Sequence, residues 1–128
     1  MSVGLVIVTH GDIGRALVES AEFILHRSLE RIRCVAVTQS GAEMPNPAEM
    51  REVIRSADEG DGVLVLTDLA CASPCNSVEQ HAAALNARVV SGVNLPMLLR
   101  TWNYSGEPLD QLAQRAVDGG LKGIGLRE

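Results

Sequence analysis

Aromatic side chains are almost missing from this chain: one Phe, one Tyr and one Trp make up 2% of its 128 residues. Nearly half of the residues are nevertheless apolar, so small aliphatic side chains must build the interior. A chain of this length is expected to form a single domain, residues 1–128, with a real core. No apolar stretch approaches the roughly 20 residues that a membrane helix needs, which excludes direct membrane insertion. A basic, apolar, small-residue leader is lacking too, and a cytoplasmic location is expected. Basic residues are in deficit, 11 against 16 acidic for a net charge of −5. The chain therefore has no footprint for nucleic acid, and an acidic domain suits a basic protein partner better. Internal repeats, low-complexity tracts and a second domain are also absent.

Three cysteines, an odd number in a chain with no export signal, argue against a disulfide framework. Cys71-x3-Cys75 with His81 nearby does not have the spacing of a common zinc knuckle, and no second cysteine pair completes four ligands. No metal and no cofactor are expected. Cys34, in the run CVAV, reads as a small core residue, and His26 and His81 read as helix positions at the surface or rim.

What the chain does contain is an alternation of strand and helix, the mark of an open parallel sheet with helices on both faces. Val3 to Val8, Ile32 to Thr38, Val63 to Leu66 and Arg88 to Gly92 read as four strands. Helical spacing runs from Asp12 to Arg27, with Ile13, Leu17, Ala21 and Ile24 on its apolar face. Met50, Val53, Ile54 and Ala57 mark a second helix, and a third is expected from about Pro74 to Leu85. Pro96 opens another, and Leu109 to Val117 line the last. Ser40 to Pro47 reads as a loop. Gly119-Gly120 is expected to stop the last helix, leaving Leu121 to Leu126 as a tail of alternating glycine and apolar residues.

The run GLVIVTHG carries the chemistry. It reads as a strand buried on both faces that ends at His10 and feeds straight into a helix. That places the imidazole at the carboxyl end of a parallel sheet, where open α/β folds keep their ligands. Gly11 permits the tight turn, and the helix behind it is expected to aim unpaired N–H groups at a negative group, such as phosphate, carried by His10. In GVLVLTDLACASPCN, Asp68 ends a second buried strand as His10 ends the first. Were the two strands adjacent, the carboxylate would hold one ring nitrogen protonated and leave the other free to attack. Ser73-Pro74 reads as a helix start, Ser at the N-cap and Pro at the first position, and the Ser73 hydroxyl could face the same phosphoryl group.

These residues resemble the mannose-type enzyme IIA of the phosphoenolpyruvate-dependent sugar phosphotransferase system. The resemblance rests on VTHG with His10, on Asp68 followed by SPxN at Ser73 to Asn76, and on SGVNLPML from Ser91 to Leu98. It implies that His10 takes a phosphoryl group from the histidine-containing phosphocarrier protein and passes it to a separate IIB protein. It further implies that Asp68 is the hydrogen-bond partner of His10 and that Ser73 lies in the loop touching the phosphoryl group. The carboxyl-terminal tail would then form a short, antiparallel fifth strand exchanged with a neighbouring subunit in a homodimer. The chain departs from the family pattern at Cys71-Ala72, where relatives usually carry two glycines, and at Leu69-Ala70, where many carry an aromatic.

Two readings follow. One is a phosphoryl carrier with His10 as a transient covalent site. The other is a regulatory module whose partner binding depends on the phosphorylation state of His10, without sugar transport. A small-molecule binder of the same fold requires that His10 be inert.

Overall fold

The apolar runs pair side by side in a computed structural model that describes residues 2–37, 47–69 and 84–127. Four strands, β1 (Gly4–His10), β2 (Arg33–Val37), β3 (Val63–Thr67) and β4 (Ala87–Ser91), form a sheet in the order β2-β1-β3-β4. Every pairing is parallel. The central strands are buried along their length except at His10, the exposed last residue of β1, as their near-continuous Val, Ile and Leu content requires.

Because side chains alternate across a strand, each run splits between two cores. Leu5, Ile7, Leu64, Leu66 and Val90 face helices α1 (Ile13–Leu25), α3 (Leu95–Asn103) and α4 (Leu109–Lys122), meeting Val18, Ala21, Leu98, Leu112 and Ala116. Val6, Val8, Val63, Val65 and Ala87 face α2 (Pro47–Ala57), meeting Met50, Ile54 and Ala57. The α/β class and the helices on both faces follow from this. No helix among the described residues is long and apolar enough to cross a membrane.

Several boundaries differ from the sequence reading. Pro47 opens α2 instead of closing a loop, because its fixed φ and missing N–H suit a first helical turn. Helix α1 ends at Leu25, where His26 adopts a left-handed φ of 55° and its N–H returns to the Glu22 carbonyl. Ile13 and Ile24, expected on the core face, are 49% and 47% exposed, since Gly14, Val18 and Ala21 take the places against the sheet. The expected helix Pro74 to Leu85 lies outside the described residues except at its end, where residues 84–86 form a turn into β4.

The largest correction is at the carboxyl terminus. Helix α4 continues through Gly119-Gly120 to Lys122, so these glycines do not stop it. A Cβ on Gly119 would lie 2.7 Å from the Arg100 Cβ, and one on Gly120 would lie 2.7 Å from the Met97 Cε. Their purpose is to let α4 press against α3, and that packing offsets their poor helix propensity. Residues 124–127 have no regular structure, with Ile124 and Leu126 exposed. Among the described residues the tail forms no antiparallel fifth strand; a segment with so little to bury cannot hold strand geometry without a sheet edge to join.

Candidate functional site

The site is built where β1 and β3 end side by side. Val8 of β1 is in register with Thr67 of β3, so His10 and Asp68 emerge together at the carboxyl edge of the sheet. The His10 backbone N–H donates to Asp68 Oδ2 at 2.9 Å, and His10 Nδ1 lies 3.1 Å from the same oxygen. Asp68 is largely buried and His10 is about half exposed, their side chains at 16% and 46%.

This geometry sets the charge states. Partial burial pushes the Asp68 carboxyl up, but the His10 N–H, the His10 ring and the charge on that ring outweigh it and hold the group below its ordinary value. An ionised carboxylate only accepts, so when the ring holds a single proton Nδ1 carries it and donates it to Asp68. The lone pair of Nε2 is then left free on a ring that is about half exposed, an arrangement suited to nucleophilic attack.

The turn after β1 is held at several points. Gly11 has a φ of +51° and its N–H donates to the Val37 carbonyl at the end of β2, 2.9 Å away. A side chain at this position would find open space; it is the left-handed backbone that calls for glycine. Asp12 precedes α1 without a side-chain cap bond, and the first turn of the helix carries no acidic residue. The positive end of the helix dipole faces the His10 loop with the Asp12 carboxylate beside it.

One capping residue escaped the sequence reading. Thr9, buried between Val8 and His10, accepts the Gly14 N–H through its Oγ1 at 2.8 Å. The Ala16 N–H makes the first regular bond of the helix, to the Asp12 carbonyl. One of the N–H groups expected to face a bound anion, that of Gly14, is therefore used within the turn itself. A hydroxyl side chain pointing inward at the end of an otherwise aliphatic strand was the available signal for Thr9, because a buried polar atom needs a partner.

Ser73, the third expected site residue, lies outside the described residues, as do Cys71, Ala72, Cys75 and His81. Cys34 packs half-buried against the core, where burial pushes its thiol up, Arg15 works against this and Glu22 adds to it. His26 lies at the far end of α1 from His10.

A family model described as "PTS system fructose IIA component" matches residues 4–115. The chain belongs to that family of IIA components. It is 27% identical over 127 residues to the PTS system mannose-specific EIIAB component of Escherichia coli strain K12. That match takes in 97% of this chain but only 39% of the relative. Among solved structures it is similar to the mannose/sorbose specific IIA subunit from Enterococcus faecalis, with a TM-score of 0.86 and 25% identity over 100% of this chain and 96% of that one. The EIIA component from Streptococcus agalactiae shares the fold, with a TM-score of 0.79 and 22% identity over 97% and 96% of the two chains.

Within this IIA component, the run SGVNLPML acquires a structural meaning. Asn94 caps α3, its Oδ1 accepting the Met97 N–H at 2.9 Å, and its Nδ2 donates to the Gly120 carbonyl at 3.1 Å. The strand-to-helix turn is thus tied to the far end of α4. Thr9 has a comparable part in holding α1 against the IIA sheet. Thr9→Val keeps the shape but strands the buried Gly14 N–H, and is expected to lower stability by about 1–2 kcal/mol in urea unfolding. Thr9→Ser, which keeps the acceptor, should recover most of that loss.

Proposed function

We propose that this IIA component is a phosphoryl carrier. His10 Nε2 attacks the phosphorus of the phosphohistidine on a histidine-containing phosphocarrier protein. A new N–P bond forms, the donor N–P bond breaks, and its electron pair returns to the donor imidazole. The ring of His10 becomes cationic as its Nδ1 keeps its proton, and the Asp68 carboxylate stabilises that charge. The phosphoryl group then passes by the same chemistry to a IIB protein, in the service of sugar uptake. The observation that carries this reading is the Nδ1 contact to an ionised, mostly buried carboxylate, 3.1 Å away, at the open edge of the sheet. Ser73 is assigned contact with the phosphoryl group by the family resemblance.

Incubation with phosphoenolpyruvate, enzyme I and the phosphocarrier protein is expected to add one acid-labile phosphate per chain, which a IIB protein then removes. A chain that stays unlabelled beside a labelled phosphocarrier would overturn the proposal.

We also infer a cytoplasmic homodimer closed by the carboxyl-terminal tail. Among the described residues β4 pairs only with β3, and such an open edge invites pairing. Leu121, Ile124 and Leu126 are exposed beyond the α3–α4 contact. Laying each tail on the other subunit's edge about a two-fold axis buries both in one self-complementary contact. Deleting the residues after Gly123 should shift the species in light scattering from dimer to monomer and lower the melting temperature. A full-length chain that is monomeric at high micromolar concentration would rule the tail exchange out.

A further inference from the structure

Arginines gather around the single Trp of the chain, at the opposite end of α1 from His10. The guanidinium carbons of Arg27 and Arg31 lie 5.8 and 5.9 Å from the centre of the Trp102 ring. With Arg100 they line a cleft of about 650 Å³ between α1 and α3, whose apolar walls include Ile24 and Leu99. That volume falls within the roughly 300–1,000 Å³ of small-molecule sites. Helix α1 has 13 residues, which places the cleft about 20 Å from the His10 loop.

The chain carries five more acidic than basic groups, and none of these three arginines makes an ion pair among the described residues. The nearby carboxylate of Glu22 is occupied elsewhere, accepting the Leu29 N–H at 2.7 Å. That bond, with the Arg27 N–H on the Glu22 carbonyl and the Ile32 N–H on the Leu29 carbonyl, fixes the turn that presents Arg27 and Arg31. Gathering like charges against one ring costs free energy that an anion between them would offset. Guanidinium forks match carboxylate and phosphate groups in geometry, and the indole and aliphatic walls favour an apolar body between the charges.

We propose that this cleft binds a small organic anion that carries two or more acidic groups on an apolar frame, at a site separate from His10. The inference does not depend on phosphoryl transfer, since none of its residues touches His10 or Asp68.

Trp102 reports occupancy directly, as the only tryptophan. Titration of the full chain with benzene-1,3,5-tricarboxylate is expected to change its fluorescence saturably, with a dissociation constant of about 1 mM or tighter. Added salt should weaken the binding. In Arg27→Gln/Arg31→Gln the affinity should fall at least about tenfold, while His10→Ala should bind as the unaltered chain does. Backbone and indole N–H chemical shifts of the unaltered chain should move around Arg27, Arg31, Arg100 and Trp102. Absence of saturation, an affinity unchanged in the double variant, or shifts confined to the His10 loop would each overturn the proposal.

Discussion

His10→Ala is expected to abolish acceptance of phosphate from the phosphocarrier protein, a loss of at least about a thousandfold when the group that forms the covalent bond is removed. The fold should survive the change. The contact that joins the ends of β1 and β3 is made partly by the His10 backbone N–H, which donates to Asp68 at 2.9 Å and remains in the variant. Near-native unfolding midpoints together with no acid-labile label would locate the reaction on the ring. His26→Ala serves as the control, because that residue caps the far end of α1 and should be labelled normally. Label retained in His10→Ala would mean that another nucleophile carries the phosphoryl group.

Asp68→Asn should slow transfer by about ten- to a hundredfold, equivalent to roughly 1.4–2.8 kcal/mol in the activation barrier. Two effects act in the same direction. The amide carries no charge to stabilise the imidazolium that forms as Nε2 attacks. Its NH2 can also turn toward Nδ1, which favours the tautomer with the proton on Nε2 and removes the attacking lone pair. Rapid-quench measurement of the labelling rate in a folded variant decides the matter; an unchanged rate would reduce Asp68 to a structural tie between two loops.

The same carboxylate links stability to pH, and the sign follows from its direction of shift. The folded state holds Asp68 below its ordinary value of 3.8. The group therefore contributes stability at pH values above that figure, and the contribution is lost as pH falls through the lower, folded value. Urea midpoints of the unaltered chain and of Asp68→Asn should differ near neutrality and converge below about pH 4. A difference that persists undiminished in strong acid would show that ionisation of Asp68 is not its source.

Much of this site is visible in short stretches of sequence. A run such as Gly4 to His10 has one good solution, a strand buried on both faces, so the position of His10 at its carboxyl end follows from pattern alone. The same holds for Asp68 after β3. Side-chain alternation also assigns Leu5 and Ile7 to one core and Val6 and Val8 to the other once two layers of helices are granted. These are local properties, set by period and by residue type.

Other features depend on what lies across the fold. Only the strand order puts β3 beside β1 and so turns two separate strand ends into the hydrogen-bonded His10 and Asp68. The glycines at 119 and 120 look like a helix stop until α3 is packed against them, when their lack of a Cβ becomes the reason that the helix can continue. Thr9 reads as one more β-branched strand residue until the Gly14 N–H arrives at its hydroxyl. Arg27, Arg31 and Trp102 are far apart in the chain and share no motif, and they meet because α1 and α3 pack on the same face. The sequence by itself determined which elements form and which residues stand at their ends, because short-range pattern and propensity decide those. The tertiary structure alone decided which ends meet, which glycines serve packing and where charge accumulates, because such contacts join residues whose separation along the chain carries no periodic signal.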